Sequence, residues 1–208
     1  MKEELKAELK APYAYRQDFK VKYTGSCYCK AVQFEIAQDC LDSMYCHCET
    51  CQTLHGCPFQ WAAVLPKDAL QFQPDALQHL SWYHSPSKQM AHAVQDRTLP
   101  CKVSCNKCRA PLMDEGRNMM LMLPVYVDFP RAPQPATHTG SSASEDDARE
   151  SHESETGRKE IPAAWKAKHH MHYSKRVVDM KDGLTKFLTR KGEGECNDEG
   201  NPIQNSNI

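Results

Sequence analysis

The chain has 208 residues, a net charge of -1 and a pI near 6.8. Its length suits one ordinary domain with extensions, and its mean hydropathy of -0.70 is polar for one compact domain, so we expect part of the chain to lie outside the core. The balanced charge gives no indication of a nucleic-acid partner, which favours a basic domain, and the sequence has no apolar run suited to a membrane span or a signal peptide.

The eleven cysteines are the most informative part of the composition. Without a signal peptide we expect a cytoplasmic location, with the nucleus as the alternative. Thiols stay reduced in both compartments. We therefore interpret the cysteines as metal ligands or free thiols rather than disulfides.

The first half of the chain predicts a mainly β domain preceded by a loose arm. Residues 1–18 are charged and lack a broad apolar stripe, so we expect a loosely ordered N-terminal arm. Residues 19–129 are expected to form a zinc-binding β domain. Within it, alternation over residues 18–36 predicts a β-hairpin with two cysteines near its turn. Apolar runs at 59–65 and 118–127 predict buried strands.

The second half changes in character after residue 129. Residues 130–160 are rich in proline, serine and acidic residues, and a segment of this composition buries too little apolar surface to offset its ordering entropy. We expect a disordered insertion there. Residues 161–190 are expected to supply C-terminal strands that complete the domain, and residues 191–208 a disordered tail.

A short central segment carries the densest group of cysteines. Cys46, Cys48 and Cys51 follow a C-x-C-x-x-C spacing, and a short helical turn over residues 50–56 is expected to close this knuckle. Thiolates are soft ligands that suit zinc. Three ligands are one short of a closed tetrahedron, and an open position is what a catalytic zinc needs.

Two cysteine pairs flank the knuckle in the chain. Cys27 and Cys29 lie upstream, and Cys105 and Cys108 lie downstream. Together they supply four ligands, which is enough for a closed structural zinc that would join the N-terminal hairpin to the middle of the chain. The alternative is a set of unligated core cysteines. We predict two Zn2+ ions per chain, one in the closed site and one in the open site.

The second site leaves alternatives open. Cys57 or His55 could supply a fourth ligand and make it a second structural site. His47 lies between two ligands, and we expect its side chain to point away from the metal, with a proton-transfer role as the less favoured interpretation. Three further cysteines have no partner by spacing and are interpreted as ordinary thiols: Cys40, Cys101 and Cys196.

Other polar residues near these motifs have a functional and a plain interpretation. Alternation in a strand would place His170 and His172 on one face and His169 on the other, so we favour a surface or core-edge role over metal binding. Cations near the motifs could bind the carboxylates of a substrate but are more often solvated: Lys107, Arg109, Arg117, Lys175 and Arg176. Arg117 could instead pair with its neighbours Asp114 and Glu115.

The cysteine motifs together resemble those of the glutathione-dependent formaldehyde-activating enzyme family, which includes centromere protein V. The resemblance covers roughly residues 20–129 and 165–188, and the run 111–119 is similar to fungal members in particular. It rests on these motifs: Gly25-Ser26-Cys27-x-Cys29, Cys46-His47-Cys48-x-x-Cys51 followed by Gly56, Cys105-x-x-Cys108, and Asp182-Gly183-Leu184-Thr185-Lys186-Phe187.

This resemblance implies a β-tent fold of hairpins over a structural zinc, with few short helices. It implies a carbon–sulfur lyase or synthase that makes or breaks the bond between glutathione and formaldehyde, a small-molecule thiol and aldehyde. A non-catalytic zinc-binding protein-interaction module is the alternative. The family usually has glycine after the second and the last structural cysteine, where this chain has Lys30 and Arg109. Glycine there would allow a positive φ, which other residues adopt at some cost.

Overall fold

The computed structural model describes residues 9–133 and 157–203, and within them the chain is mainly β, which confirms the predicted fold class. The strands are β1 (Tyr23–Ser26), β2 (Gln33–Ile36), β3 (Asp42–Cys46), β4 (Gln60–Pro66), β5 (Leu70–Phe72), β6 (Leu80–His84), β7 (Gln89–Ala91), β8 (Cys101–Cys105), β9 (Pro111–Glu115), β10 (Met119–Met122), β11 (His169–Met171), β12 (Thr185–Phe187) and β13 (Glu195–Cys196).

Helices are short in the part of the chain that the structure describes. Among the described residues there is one α-helix, α1 (Glu49–His55). Separate 3-10 turns lie at Lys67–Ala69, Pro74–His79, Val94–Asp96, Pro124–Tyr126, Ala163–Trp165 and Tyr173–Lys175. None of these described helices is both long and apolar enough to span a membrane.

The described strands form two sheets. A small antiparallel sheet has the order β1-β2-β5, and a ten-stranded sheet has the order β13-β12-β11-β3-β4-β10-β9-β8-β6-β7. Neighbouring strands of the large sheet run antiparallel except that β11 is parallel to both β3 and β12. Because a parallel pair needs a long connection, β11 enters the sheet next to a strand more than 120 residues earlier in the chain.

The predicted N-terminal hairpin is present as β1 and β2. It is in register from Tyr23 opposite Ile36 to Ser26 opposite Gln33, so the turn between the strands carries the first cysteine pair. Gly25 lies inside β1, where an added Cβ would collide with the Phe34 ring and the Tyr126 carbonyl oxygen. A glycine is required at this position because the backbone and the ring approach so closely.

The N-terminal segment is anchored more firmly than its composition indicates. Tyr13 is 2% exposed, and its ring stacks on Phe72 with the centroids 5.5 Å apart. The Tyr13 hydroxyl donates to the buried carboxylate of Glu115 at 2.6 Å and accepts from Trp82 Nε1 at 2.7 Å. This finding differs from the expected loosely ordered arm. The segment lacks an apolar helical face, but one buried aromatic side chain attaches it to the core. Residues 1–8 lie outside the described chain.

Replacing Tyr13 by phenylalanine should lower the free energy of unfolding by about 1–3 kcal/mol. The substitution removes the acceptor of the buried Trp82 indole N–H. Glu115 Oε2 loses one of its two donors and keeps Arg97. Urea denaturation of the metal-loaded protein measures the change. Tyr15→Phe is the matched control, since Tyr15 is an exposed residue of the same segment and should leave the midpoint unchanged. Equal midpoints for the two variants would contradict the anchoring role.

The C-terminal segment adds strands further along than expected. β13 pairs with β12 through Lys186 opposite Cys196, and the Cys196 side chain is 3% exposed. The predicted tail from residue 191 therefore contains a paired strand, and residues 204–208 lie outside the described chain. Residues 177–180 lie outside the described strands; Val177 is exposed and the next strand begins at residue 185.

Residues 129–162 form a separate compact unit, of which residues 129–133 and 157–162 are described. Arg131 and Lys159 form an antiparallel bridge, and the Arg131 guanidinium donates to the Gly157 carbonyl oxygen at 2.8 Å. The predicted disordered insertion lies mostly in residues 134–156, outside the described residues, and stays a prediction.

Candidate functional site

The four flanking cysteines meet in one cluster. Cys27 and Cys29 come from the β1–β2 turn, while Cys105 and Cys108 come from the end of β8 and the turn before β9. Their four Sγ atoms all lie within 4.8 Å of one another. The Sγ atom of Cys29 is 3.6 Å from that of Cys27 and 3.8 Å from that of Cys105.

These separations suit a tetrahedral zinc site. Four sulfurs placed about 2.3 Å from a zinc ion form a tetrahedron with edges of about 3.8 Å. Burial raises the pKa of the Cys27 thiol to about 12. Because several adjacent thiolates repel one another, a bound cation is what would keep all four deprotonated.

Both turns of this cluster place a residue with left-handed backbone directly after their second cysteine. The Lys30 amide donates to the Cys27 carbonyl at 3.0 Å, and the Arg109 amide donates to the Cys105 carbonyl at 3.0 Å. Lys30 has a φ of 60° and Arg109 a φ of 63°. Both positions therefore require the left-handed backbone that glycine adopts without strain, and the chain keeps the turns although it lacks the glycines.

Lys30→Gly and Arg109→Gly should each stabilise the metal-loaded protein by about 0.5–1 kcal/mol. Relief of the left-handed strain, about 1–2 kcal/mol, exceeds the entropy that glycine adds to the unfolded chain. Chemical denaturation midpoints measure the change. Lys107→Gly is the control. Lys107 lies in the same turn as Arg109 but has no positive φ, so glycine at this position should destabilise the protein. A loss of stability in all three variants would contradict the strain argument.

The knuckle forms a second cluster of three sulfurs. Cys46 ends β3, Cys48 is the N-cap residue of α1, and Cys51 lies in its first turn. The three Sγ atoms lie within 4.8 Å of one another, and Cys48 Sγ accepts a hydrogen bond from the Cys51 backbone N–H at 3.4 Å. The predicted helical turn is confirmed, and it ends at Gly56, whose φ is 60°. The cap thus aims Cys48 back toward Cys51.

Neither candidate for a fourth protein ligand joins this cluster. Cys57 Sγ donates to the Phe59 carbonyl oxygen at 3.0 Å, and His55 Nε2 lies 3.4 Å from the ammonium nitrogen of Lys102. Among the described residues, this cluster contains three sulfur atoms and no further ligand atom close to all of them. The arrangement therefore retains the three-thiolate set that the spacing predicts.

Hydrogen bonds among the three thiols of the knuckle favour ionisation of Cys48 over that of the other two. Hydrogen bonds from Cys46 and Cys51 hold the pKa of Cys48 well below its ordinary value. The same hydrogen bond to Cys48 raises the pKa of Cys46 to about 11. One thiolate is thus stabilised by two thiol donors, and ionising the others requires a nearby positive charge. This donor set is chemically suited to a divalent soft metal.

A lysine that the sequence reasoning missed lies against the knuckle. Lys102 of β8 donates to Cys51 Sγ at 3.6 Å, to Gln60 Oε1 at 3.2 Å and to Asp114 Oδ2 at 2.7 Å. Its side chain is 15% exposed. The sequence signal was limited to the alternation of β8, which places Lys102 and Ser104 on the face opposite the buried Cys101, Val103 and Cys105.

The His47 side chain belongs to a buried polar chain. Its Nε2 lies 2.8 Å from His170 Nδ1, and His170 Nε2 lies 2.9 Å from Asp182 Oδ2. Since the Asp182 carboxylate accepts from His170 Nε2–H, His170 Nδ1 accepts from His47 Nε2–H. Burial lowers the pKa of His47 to about 4 and also lowers that of His170, so both rings are neutral at neutral pH. The proton-transfer role of His47 stays a prediction.

The expectation of a surface or core-edge role for the histidine group is wrong for two of its members. His170 is 0% exposed and His169 is 3% exposed. β11 is an inner strand between β3 and β12, so both of its backbone edges are paired. Strand alternation does not extend to His172, because β11 ends at Met171 and the backbone turns at His172 with a φ of 55°.

The candidate cations for a substrate carboxylate are scattered. Lys107 and Arg109 lie in a turn of the four-cysteine cluster, and Arg117 lies between β9 and β10. Lys175 is close to the knuckle through its backbone, because its carbonyl accepts from Gln52 Nε2 of α1 at 2.8 Å. Arg176 is paired with Asp179 at 2.6 Å.

The predicted pairing of Arg117 with its acidic neighbours is wrong. Asp114 pairs with Lys102 at 2.7 Å, and Glu115 pairs with Lys67 at 2.7 Å and with Arg97 at 2.9 Å. Both carboxylates lie on β9 and pair with cations that lie 12 to 48 residues earlier in the chain.

Fold and site together define a mainly β protein with two cysteine clusters of metal-binding geometry. The family model described as glutathione-dependent formaldehyde-activating enzyme matches residues 22–139, more than half of the chain. The chain belongs to this family, which confirms the suspected resemblance and relates the protein to enzymes of glutathione and formaldehyde chemistry.

Similarity to other known proteins is weak. A Rhodobacter sphaeroides protein of known crystal structure is similar at 17% sequence identity, over 50% of this chain and 85% of that chain, with a TM-score of 0.38. No curated protein sequence matches the chain.

Proposed function

We propose that the protein is a zinc-dependent carbon–sulfur lyase that makes and breaks the bond between glutathione and formaldehyde. The family relates the chain to this pair of small molecules. The observation that carries the proposal is the count of three sulfurs in the knuckle, with no fourth ligand atom from the described residues. In this proposal the four-cysteine cluster holds one zinc for structure and the knuckle holds a second.

The residues of the knuckle would keep a coordination position available. Cys46, Cys48 and Cys51 would hold the metal, and when bound, zinc supplies a Lewis acid that keeps an incoming thiol sulfur in its thiolate form at neutral pH. The surrounding hydrogen bonds fix the cysteines in place. The His47 amide donates to the Met171 carbonyl at 2.9 Å, and Gln52 Nε2 donates to the His47 carbonyl at 2.6 Å.

The proposed reaction is an addition to a carbonyl group. The thiolate sulfur of glutathione attacks the carbonyl carbon of formaldehyde, a carbon–sulfur bond forms, and the carbonyl π electrons move to the oxygen. The proton released by the thiol ends on that oxygen, which gives S-hydroxymethylglutathione. The reverse sequence cleaves the adduct, and no oxidant or reductant is consumed in either direction.

Chemical exchange of labelled formaldehyde, followed by NMR, tests the activity in both directions. Glutathione is mixed with carbon-13 formaldehyde, and magnetisation-exchange NMR measures the interconversion of hydrated formaldehyde and the hydroxymethyl adduct. We expect the metal-loaded protein to speed the exchange without changing the equilibrium ratio, since a catalyst lowers the barrier in both directions.

The background reaction and a matched variant serve as controls. Buffer alone gives the spontaneous rate. Cys57→Ser removes a cysteine next to the knuckle whose sulfur lies outside the cluster, and it should exchange at the wild-type rate. An exchange rate equal to that of buffer, measured on protein with both metals bound, would overturn the lyase proposal and favour a non-catalytic zinc module.

A further inference from the structure

Lys102 is a largely buried cation in contact with a sulfur of the knuckle. Its ammonium group has four acceptor atoms within hydrogen-bonding distance, one each from Cys51, His55, Gln60 and Asp114. An ammonium group has three protons to donate, so these partners hold it in one place. The position of the charge is thus determined by the fold.

The acidic partner keeps Lys102 charged. The Lys102 ammonium nitrogen lies 2.7 Å from Asp114 Oδ2, and an opposite charge at this distance favours the charged form of a lysine. Asp114 lies on β9 directly opposite Lys102 on β8. The carboxylate therefore acts as an anchor on the strand side, while the ammonium faces the sulfur cluster.

Comparison with a second lysine shows that an ion pair alone does not explain this placement. Lys67 is 18% exposed and pairs with Glu115 at 2.7 Å, nearly the same burial and distance as in the Lys102–Asp114 pair. Lys67 belongs to the Glu115 network with Arg97 and Tyr13. Of the two lysines, the one that contacts a cluster sulfur is Lys102.

We propose that Lys102 is a specificity-determining positioning residue that makes the knuckle metal prefer an anionic sulfur ligand to a neutral one. This inference rests on the proposed function, since it concerns the ligand in the position left open by three cysteines. Three thiolates and a divalent ion already carry a charge of about -1, and a fourth thiolate makes it about -2. A fixed cation beside Cys51 offsets the added charge, whereas a neutral ligand gains nothing from it.

Ligand binding to the cobalt-loaded full-length protein tests the proposal. Cobalt(II) replaces zinc in both sites, and sulfur-to-cobalt absorption reports a new thiolate ligand above the constant contribution of the four-cysteine site. The probes are 2-mercaptoethanol, an uncharged thiol that binds as a thiolate, and imidazole, a neutral ligand. Lys102→Met should weaken binding of the thiol by about ten-fold and leave imidazole binding within about two-fold.

Two further variants separate charge from structure. Lys102→Arg retains the charge and should recover most of the thiol affinity. Lys67→Met removes a lysine of matched burial whose described partner is Glu115 rather than a cluster sulfur, and both probes should bind it as they bind wild type.

The outcomes are distinct. Equal thiol affinity in wild type and Lys102→Met, or an equal loss for both probes, overturns the role of Lys102 while the open-site function stands. A loss in Lys67→Met as large as in Lys102→Met also overturns it, because the effect would then be general destabilisation. A wild-type protein whose cobalt spectrum does not respond to the thiol overturns both the open-site function and this inference.

Discussion

Cys105→Ser is expected to leave the protein unable to hold its native fold at 25 °C. Cys105 is fully buried at the end of β8 and is one of four sulfurs that join two distant turns. A structural zinc contributes on the order of 10 kcal/mol to folding, which is comparable to the whole stability of a typical domain. Losing one ligand should therefore remove most of the free energy of unfolding.

Circular dichroism and metal analysis of the purified chain measure this effect together. Wild type should contain about two zinc ions per chain when both clusters are filled, and Cys105→Ser should lose the structural ion together with its cooperative unfolding transition. Cys40→Ser is the matched control, because Cys40 is also buried but its sulfur donates to the Ala164 carbonyl outside either cluster. A variant with wild-type zinc content and wild-type stability would show that the cluster does not bind a structural ion.

Cys51→Ser should abolish catalysis without unfolding the chain. The knuckle is held by backbone pairing as well as by sulfur, since β3 lies between β4 and β11 and α1 is capped at both ends. Serine is a poor ligand for a soft metal, so the second ion should be lost. We expect the exchange rate between free and glutathione-bound formaldehyde to fall by about 100-fold or more.

The measurements for Cys51→Ser are the NMR exchange rate, the zinc-to-chain ratio and the circular dichroism spectrum. The ratio should fall by about one ion while the spectrum stays that of wild type. Cys48→Ser should behave in the same way, because Cys48 supplies another of the three sulfurs. Full zinc together with full activity in either variant would refute the open-site proposal.

Sequence alone was sufficient for the parts of this protein that local chemistry specifies. Cysteine spacing predicted which residues come together, because two turns and one short helix place their ligands within a few residues of one another. The end of the helix at Gly56 followed from the backbone preference of glycine. The left-handed turns at Lys30 and Arg109 were indicated by the family motif, which has glycine at these two positions. The family motifs then added a substrate class that spacing could not supply.

The surroundings of the knuckle were decided by the tertiary structure. Lys102 reaches Cys51 because β8 and β9 set it opposite Asp114 on a sheet that also carries the knuckle. His170 reaches His47 because β11 inserts in parallel beside β3, from more than 120 residues away. Alternation within one strand gives the face of a residue but not its neighbours on other strands. Strand order and register provide those neighbours, and both depend on long-range pairing.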